Sequence, residues 1–289
     1  MIRLIAVDID GTLLDSRGQI PEGHRAALAD AVSAGIDVVL ATGRSFHFTK
    51  PIVDLLALPL TLIVNNGALV KRASGETTLR HLLPRGVARR ILAETRAYED
   101  SVAIVFDRPD ERQVVFERMD WSHPNRRTYY EKNRAFIAEA PGPLAQMLVD
   151  DPIQVMFNGS VAPMRELVDA LRAADRSEDY AVAVTEYPHR DFSLVDVNGA
   201  GCSKGATLAR WVRSRGVARE EVMAAGDNFN DVEMLDFAGV AVVMGNASDA
   251  LKSRGYLVTG TNDEDGLARA IEQYGLVDSP QRRSRGTQR

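Results

Sequence analysis

The chain has 289 residues, of which 45% are hydrophobic and 26% are charged; these values are typical of soluble globular proteins and allow one large or two modest domains. The net charge of −5 argues against a dedicated nucleic-acid binder, and the single cysteine excludes an internal disulfide framework and a cysteine-based zinc site. No apolar run approaches the roughly 18 residues of a membrane span, and Asp8 and Asp10 follow the first apolar run, unlike a secretory signal. We expect a protein of the reducing cytoplasm with no membrane or nucleic-acid partner, and no obligate protein partner is evident.

The first part of the chain predicts a doubly wound α/β domain. Three apolar runs without alternation indicate buried strands of a parallel sheet: Ile2–Val7, Ile36–Ala41 and Leu60–Val64. A helix that begins at Pro21 separates the first two runs, and a short helical stretch separates the second from the third. Strand, helix, strand, helix, strand is the order of a doubly wound fold.

The middle of the chain predicts a different architecture. Val102–Phe106 and Val114–Met119 indicate a hairpin-like strand pair, and Tyr180–Thr185 with Phe192–Val197 indicate a second pair. Predicted helices and a further strand lie between the pairs. This mixture predicts an inserted α+β domain over residues 84–193, with its sheet covered on one side.

The α/β pattern then resumes, so the first domain is predicted to be split by the insertion. Lys204–Arg215 indicates a helix, and Val222–Ala225 indicates a buried strand. The core domain is therefore expected to comprise residues 1–83 and 194–278. Residues 279–289 contain four arginines, no acidic residue and no apolar periodicity, which predicts a disordered tail.

Two carboxylates follow the first predicted strand, in the segment Asp8-Ile9-Asp10-Gly11-Thr12. Ligands of open α/β sheets bind at the carboxyl ends of the strands, and side chains two residues apart project to the same side of an extended chain. The two carboxylates would repel each other unless a cation lies between them. An acidic surface turn is the alternative, and the strongly apolar run before the motif argues against it.

A second acidic cluster follows the predicted strand Val222–Ala225. Asp227, Asn230 and Asp231 lie there at the start of a predicted helix. Oxygen ligands without a nearby histidine cluster favour Mg²⁺ over zinc. N-capping of the helix by Asp227 is the alternative, but it does not explain the three polar residues together.

Two further polar positions fit an anion site. Thr42-Gly43-Arg44 ends the second predicted strand, where a hydroxyl and backbone N–H groups can hold a phosphate oxygen, or where Thr42 can cap a strand-to-helix turn. Lys204 begins a predicted helix, at the end where the helix dipole favours anions. It is expected either to serve an anion or a carboxylate, or to lie in solvent.

These four motifs, in this order, resemble those of the haloacid dehalogenase superfamily of phosphatases. Asp8-Ile9-Asp10-Gly11-Thr12 resembles the first motif, Thr42 the second and Lys204 the third, and Gly226-Asp227 through Asn230-Asp231 resembles the fourth. The insertion lies between the second and third motifs and resembles the type-two cap. Further segments resemble the Cof-type branch: Asn65-Asn66-Gly67-Ala68, Ser203-Lys204-Gly205, Met244-Gly245-Asn246-Ala247 and Asn262-Asp263-Glu264-Asp265-Gly266.

The resemblance implies a Mg²⁺-dependent phosphatase in which Asp8 attacks phosphorus and forms an aspartyl-phosphate. It implies that Mg²⁺ is held by Asp8, Asp227 and the backbone carbonyl of Asp10. Asp10 would protonate the leaving alkoxide and then activate water, while Thr42 and Lys204 would hold the transferring oxygens. The other residues expected to orient Lys204 and the metal waters, or to bind the phosphate or the substrate, are Asn230, Asp231, Gly43 and Arg44. Arg44 has two possible roles: it contacts the leaving group, or it forms a salt bridge within its own turn.

Three functions other than that of a phosphatase have to be considered for this set of motifs. A phosphosugar mutase shares the motifs and the cap type. A dehalogenase normally lacks the second aspartate, so Asp10 argues against it. A catalytically silent protein that binds and senses phosphorylated metabolites would not need every expected catalytic residue. A phosphatase acting on a small phosphate ester, with sugar phosphates as the leading class, is therefore the prediction, whereas nucleotide, flavin and pyridoxal phosphates stay open as substrates.

Overall fold

The structure is a computed structural model that describes residues 1–108 and 112–276. The middle of the first predicted hairpin, at residues 109–111, and the predicted tail at residues 279–289 lie outside the described residues. The chain divides into two compact units. Among the described residues, one is formed by Met1–Arg80 together with residues 203–276, and the other by His81–Cys202. Every described helix is too short or too polar to cross a lipid bilayer.

The described secondary structure alternates between strands and helices in the first unit and mixes paired strands with helices in the second. The strands, in chain order, are β1 (Leu4–Val7), β2 (Asp37–Ala41), β3 (Thr61–Val64), β4 (Leu69–Arg72), β5 (Thr77–Arg80), β6 (Val102–Val105), β7 (Val114–Phe116), β8 (Ile137–Glu139), β9 (Gln154–Gly159), β10 (Tyr180–Tyr187), β11 (Phe192–Gly199), β12 (Val222–Gly226), β13 (Val240–Val243) and β14 (Leu257–Val258). The helices are α1 (Glu22–Ser33), α2 (Phe46–Leu56), α3 (Arg85–Glu94), α4 (Pro124–Asn133), α5 (Val161–Ala173), α6 (Lys204–Ser214), α7 (Val232–Phe237), α8 (Asp249–Lys252) and α9 (Gly266–Ala270).

A mixed sheet of eight strands forms the first unit, in the order β14-β13-β12-β1-β2-β3-β4-β5. The strands from β14 to β3 pair in parallel, and β4 and β5 extend the sheet in antiparallel fashion. The predicted doubly wound sheet is confirmed, but β4 and β5 were not predicted. Their sequences are short and half polar, and β5 alternates between half-buried and exposed residues, so neither has the continuous apolar run that marks a central strand.

The central strands are buried on both faces, which explains their continuous apolar sequence. Leu4 and Ala6 of β1 share an apolar cluster with residues of α6 and α7. Ile5, between them in the strand, points to the opposite face because strand side chains alternate. It faces Gly275, in the turn that follows α9 and contacts α1. Helices therefore cover both faces of this sheet, as in a doubly wound fold.

The second unit is a six-stranded sheet in the order β10-β11-β9-β6-β7-β8. Its neighbouring strands are antiparallel, apart from the parallel pair β7 and β8. Alternate side chains of β9 and β11 join residues of α3 and α5 in one apolar cluster, and these are Val155, Phe157, Val195 and Val197. The unit is therefore of the α+β class, with α3 and α5 packed on one face of its sheet.

The ends of this unit differ from the predicted boundaries at residues 84 and 193. β11 pairs antiparallel with β10 along its whole length, from Tyr187 opposite Phe192 to Tyr180 opposite Gly199. A strand that hydrogen-bonds throughout to the inserted sheet belongs to that sheet, so the unit extends to Cys202, and it begins at His81. The apolar run of β11 alone does not reveal which sheet it joins.

Candidate active site

The predicted functional residues lie in the first unit, and all except Lys204, which begins α6, follow the carboxyl ends of its parallel strands. Asp8 directly follows β1, Thr42 directly follows β2, and Asp227 directly follows β12. β1 lies between the other two strands in the sheet, so the three loops open at one edge. The apolar strands thus bring polar residues from distant parts of the sequence to one place.

Lys204 lies at the centre of this cluster. Its side chain is 1% exposed, and its Nζ donates hydrogen bonds to Oδ1 of Asp8 at 2.6 Å and to Oδ1 of Asp231 at 2.7 Å. Burial lowers the pKa of Lys204, but the charges and hydrogen bonds of Asp231 and Asp8 outweigh burial and raise this pKa above its usual value. The ammonium is therefore charged, and the alternative of a solvated lysine is excluded.

Asp8, Asp227 and Asp231 offer carboxylate oxygens that lie within 4.8 Å of one another. Burial raises the pKa of Asp8 well above its usual range, although the charge of Lys204 opposes this. Burial, and then the charge of Asp231, raises the pKa of Asp227 to about 7. When all three carboxylates are ionised, the single ammonium of Lys204 leaves two negative charges uncompensated. Because all the donor atoms are oxygens, the cluster fits a divalent cation of the Mg²⁺ kind.

Asp231 supports its neighbours with both of its oxygens. Oδ1 accepts from Lys204, and Oδ2 accepts from the backbone N–H groups of Asp227 at 3.1 Å and Asn228 at 3.0 Å. Asp8 and Asp227 are therefore the carboxylates with the most capacity left for a cation. Asn228, and not Asp227, caps the following helical turn, because its Oδ1 accepts from the N–H of Phe229 at 2.8 Å. Helix capping therefore does not account for Asp227.

Two residues of the first motif that the sequence analysis did not assign to the site hold Asp227 in place. Thr12 is fully buried, and its Oγ1 donates to Oδ1 of Asp227 at 3.0 Å. Gly11 has φ +83°, and a Cβ at this position would lie 2.3 Å from Oδ2 of Asp227. Glycine is therefore required both for the turn and for the close approach of the carboxylate. The Gly-Thr pair directly after Asp10 is the sequence signal for both contacts.

Asp10 forms a two-bond ion pair with Arg44. Nε of Arg44 donates to Oδ2 of Asp10 at 2.7 Å, and Nη2 donates to Oδ1. The two side chains are 36% and 33% exposed, in the order Asp10 and Arg44. Of the two roles open for Arg44, the structure shows the salt bridge, although its partner is the first motif and not a residue of its own turn. Such a planar, two-pronged contact fixes the orientation of the carboxylate.

Thr42 organises the turn after β2. It is 1% exposed, its N–H donates to the carbonyl of Ile63 at 2.8 Å, and its Oγ1 accepts from the N–H of Arg44 at 3.1 Å. This is the turn-capping contact that the sequence left open. A hydroxyl that accepts one hydrogen bond can still donate its proton, so the contact is compatible with the predicted role in holding a phosphate oxygen.

Asn230 and Gly43 lie next to a residue to which the sequence analysis gave no role. Nδ2 of Asn230 donates to Oδ1 of Asn66 at 3.2 Å, and a Cβ on Gly43 would lie 3.2 Å from the same oxygen. The polar segment Asn65-Asn66-Gly67 after β3 was visible in the sequence. It lies at the same edge of the sheet as Thr42 because β2 and β3 are parallel neighbours.

The chain is similar to a protein family and to known phosphatases. A family model described as haloacid dehalogenase-like hydrolase matches residues 5–271. The pyridoxal phosphate phosphatase YbhA of Escherichia coli is 30% identical over 281 residues, covering 94% of this chain and 98% of that protein. The 5-amino-6-(5-phospho-D-ribitylamino)uracil phosphatase YcsE of Bacillus subtilis is 29% identical over 276 residues, covering 95% and 96%.

A solved structure agrees with these similarities. The crystal structure of a haloacid dehalogenase-like hydrolase from Bacteroides thetaiotaomicron superposes with a TM-score of 0.77 and 26% identity, covering 94% of this chain and 99% of that chain. The family match spans both units and all four motifs, which confirms the resemblance seen in the sequence. The chain therefore belongs to the haloacid dehalogenase-like hydrolases, in their Cof-type branch, and is an enzyme of the phosphatase kind within that family.

Proposed function

We propose that this protein is a Mg²⁺-dependent phosphatase that hydrolyses a small phosphorylated metabolite, with sugar phosphates as the leading class, through an aspartyl-phosphate on Asp8. The observation that carries the proposal is the environment of Asp8. Asp8 follows a buried strand, and Lys204 donates a hydrogen bond to its Oδ1. A carboxylate oxygen of Asp227 lies within 4.8 Å of a carboxylate oxygen of Asp8, so one cation could contact both. Residues without a catalytic role seldom bring three carboxylates and an ammonium together in a buried site, because desolvating them is costly.

The first step transfers the phosphoryl group to Asp8. The oxygen of Asp8 that Lys204 does not hold forms a bond to phosphorus, while the bond from phosphorus to the ester oxygen breaks. Asp10 gives a proton to the leaving oxygen, so that an alcohol departs. In this proposal, Lys204 and the hydroxyl of Thr42 balance the charge of the transferring oxygens.

The second step regenerates the enzyme. A water molecule attacks phosphorus, the bond between Asp8 and phosphorus breaks, and Asp10 takes the proton of the water. Arg44 orients Asp10 for this exchange, because it binds both carboxylate oxygens and leaves each of them a further lone pair. Inorganic phosphate is the product.

A Mg²⁺ ion held by Asp8, Asp227 and the backbone carbonyl of Asp10 would supply positive charge against the repulsion between a carboxylate and a phosphate dianion. At an effective dielectric of 20, two unit charges 4 Å apart repel each other by about 4 kcal/mol. The negative charge that the ionised cluster carries in excess of Lys204 supports this assignment. The pKa of Asp227, which burial raises to about 7, supports it as well, because a bound cation would favour the charged form of this carboxyl.

The names of the relatives support a small, polar phosphate ester as substrate. By those names, one relative acts on pyridoxal phosphate and another on a phosphoribitylamino uracil. Both compounds carry the phosphate on a small organic molecule, and the second carries it on a sugar-alcohol chain. We therefore keep sugar phosphates as the leading class for this chain and include sugar-alcohol and pyridoxal phosphates in the test set.

The test is phosphate release from an aryl phosphate and from a panel of phosphorylated metabolites, with Mg²⁺ or with excess chelator. Asp8→Asn should abolish turnover and covalent labelling by radiolabelled substrate, because the amide is not a nucleophile. Asp37→Asn is the matched control. Asp37 is the first residue of β2, at the end of the strand opposite to the site, and it pairs with the exposed Arg215. Full activity in chelator would refute the metal requirement, and wild-type turnover by Asp8→Asn would refute the nucleophile.

The same experiment separates the alternatives. A phosphosugar mutase would retain the phosphate on a second position of the sugar and release little inorganic phosphate. A silent binding protein would bind phosphorylated metabolites without labelling Asp8. Burst release of inorganic phosphate from an aryl phosphate is expected of the phosphatase alone.

A further inference from the structure

Two consecutive asparagines after β3 adopt a backbone conformation that side-chain-bearing residues rarely take. Asn65 has φ +52° and Asn66 has φ +53°, in the left-handed region where glycine is the default and asparagine the next best tolerated residue. Both are buried, with 2% and 1% exposure. Strained backbone persists where the surroundings hold it in place, and such places cluster at functional sites.

The surroundings of Asn66 connect two segments of the candidate active site. The N–H of Asn65 donates to the carbonyl of Arg44 at 2.9 Å. The N–H of Asn66 donates to the carbonyl of Thr42 at 3.0 Å. Its side-chain Oδ1 accepts from Nδ2 of Asn230 at 3.2 Å. The backbone of Asn66 thus holds the turn after β2, and its side chain holds the loop after β12.

The same turn also packs on the helix that carries Lys204. The carbonyl of Gly67 accepts from Oγ1 of Thr207 at 2.8 Å, and a Cβ on Gly67 would lie 2.2 Å from the carbonyl oxygen of Ser203. Gly67 has φ +106°. Asn65, Asn66 and Gly67, which all have positive φ, therefore fit between the turn after β2, the loop after β12 and helix α6. A turn of another conformation would displace at least one of these three elements.

We propose that Asn66 is a positioning residue, which fixes the spacing between the turn Thr42-Gly43-Arg44 and Asn230 and thereby sets the affinity of the site for a phosphate group. This inference rests on the proposed function, since it concerns the same site. The backbone conformation places the side-chain oxygen between the two segments, and the hydrogen bond to Asn230 keeps them at one distance. Asn66 contacts no reacting atom in this scheme.

Two substitutions separate the backbone role from the side-chain role. Asn66→Gly tolerates the left-handed conformation but lacks the amide, so the fold should be kept while the link to Asn230 is lost. Asn66→Asp keeps an oxygen acceptor and tolerates the same conformation, but adds a negative charge beside the turn that is assigned to the phosphate. Ala57→Gly is the matched control, because Ala57 has φ +52° at an exposed position after α2.

The readouts are inhibition by inorganic phosphate, KM and kcat for an aryl phosphate, and thermal melting with and without inorganic phosphate and Mg²⁺. For Asn66→Gly, we expect inhibition by phosphate to weaken by about 3- to 10-fold, the factor that one neutral hydrogen bond is worth, and KM to rise with it. Asn66→Asp should weaken phosphate binding further than Asn66→Gly, although its acceptor is retained. Ala57→Gly should leave the inhibition constant unchanged.

A double-mutant cycle with Asn230→Ala tests the link itself. If Asn66 acts through Asn230, the inhibition constant of phosphate in the double variant should be about equal to that of the single variant that binds phosphate more weakly. If the two residues act independently, the fold-increases of the two single variants should multiply. Unchanged phosphate inhibition in Asn66→Gly, or losses that multiply in the double variant, would overturn the inference while wild-type turnover stands. Absence of phosphate release by the wild-type protein itself would instead overturn the proposed function, so the two failures are distinguishable.

Discussion

Replacement of Lys204 by methionine should destabilise the protein strongly in the absence of a divalent cation. Methionine keeps a long unbranched side chain but removes the ammonium that faces Asp8 and Asp231. Carboxylate oxygens of Asp8, Asp227 and Asp231 lie within 4.8 Å of one another, and at an effective dielectric of 20 each such pair repels by about 3 kcal/mol. Removing one partner of a buried ion pair typically costs about 3–5 kcal/mol. We therefore expect Lys204→Met to lower the free energy of unfolding by about 3 kcal/mol or more.

A second substitution should reverse part of this loss. Asp8→Asn keeps the side-chain volume, and its oxygen can still accept a hydrogen bond from Lys204. Alone, it should leave the free energy of unfolding unchanged or raise it, because it removes one of the three clustered carboxylates that repel one another when ionised. In the double variant it should restore about 1–3 kcal/mol, since two residues in direct contact are not additive.

Urea unfolding near neutral pH, in excess chelator and then with Mg²⁺, measures these differences. Lys252→Met is the control, because Lys252 pairs only with an adjacent exposed carboxylate among the described ion pairs and should change the free energy by no more than about 0.5 kcal/mol. A loss in Lys204→Met no larger than in the control would refute the electrostatic argument. A double variant less stable than Lys204→Met alone would refute it as well.

Four further outcomes are expected. Asp10→Asn should lose about 10²–10⁴-fold in turnover, with a larger loss in the first step on alkyl than on aryl phosphates, and should accumulate phosphorylated enzyme with the aryl substrate in rapid-quench trapping. Arg44→Gln should lower kcat, because Asp10 loses the contact that orients its carboxylate, without raising the inhibition constant of inorganic phosphate, whereas loss of a substrate-binding arginine would raise that constant. Gly11→Ala should weaken Mg²⁺ binding in calorimetry, because its Cβ would lie 2.3 Å from Oδ2 of Asp227. Burial lowers the pKa of His24, so the folded protein disfavours the protonated form of this residue. The contribution of His24 to the free energy of unfolding is therefore complete above about pH 6.5 and is lost as the pH falls below that value. Urea unfolding at several pH values should show that the free energy of unfolding of His24→Gln declines less steeply with falling pH than that of the wild type.

The parallel part of the core sheet was predictable because its strands carry their own signal. Strands buried on both faces must be apolar without alternation. β1, β2, β3, β12 and β13 satisfy this rule apart from the first residues of β2 and β3, Asp37 and Thr61. Polar residues directly after such strands then have to meet at one edge. This argument alone brings Asp8, Thr42 and Asp227 together, before any family is considered.

Contacts between side chains of different loops were not predictable in the same way. Asp10 and Arg44 lie 34 positions apart, and their ion pair depends on how each loop turns after its strand. The sequence therefore left the role of Arg44 open. The segment Asn65-Asn66-Gly67-Ala68 resembles the Cof-type branch, but the sequence alone assigns Asn66 no role, because the contacts of a turn residue are unknown until its neighbours in space are known.

The order of the strands has a consequence for the synthesis of this protein on the ribosome. β1 pairs on one side with β12, so that Leu4 lies opposite Val222, and the ion pair of Asp8 with Lys204 joins residues 196 positions apart. The contiguous unit His81–Cys202 is fully synthesised before either partner emerges. We expect the unit His81–Cys202 to fold first, while the edge of β1 that pairs with β12 in the finished protein is still unpaired. Such an edge invites pairing with other chains, so translation that stalls before β12 should yield an aggregation-prone, inactive product.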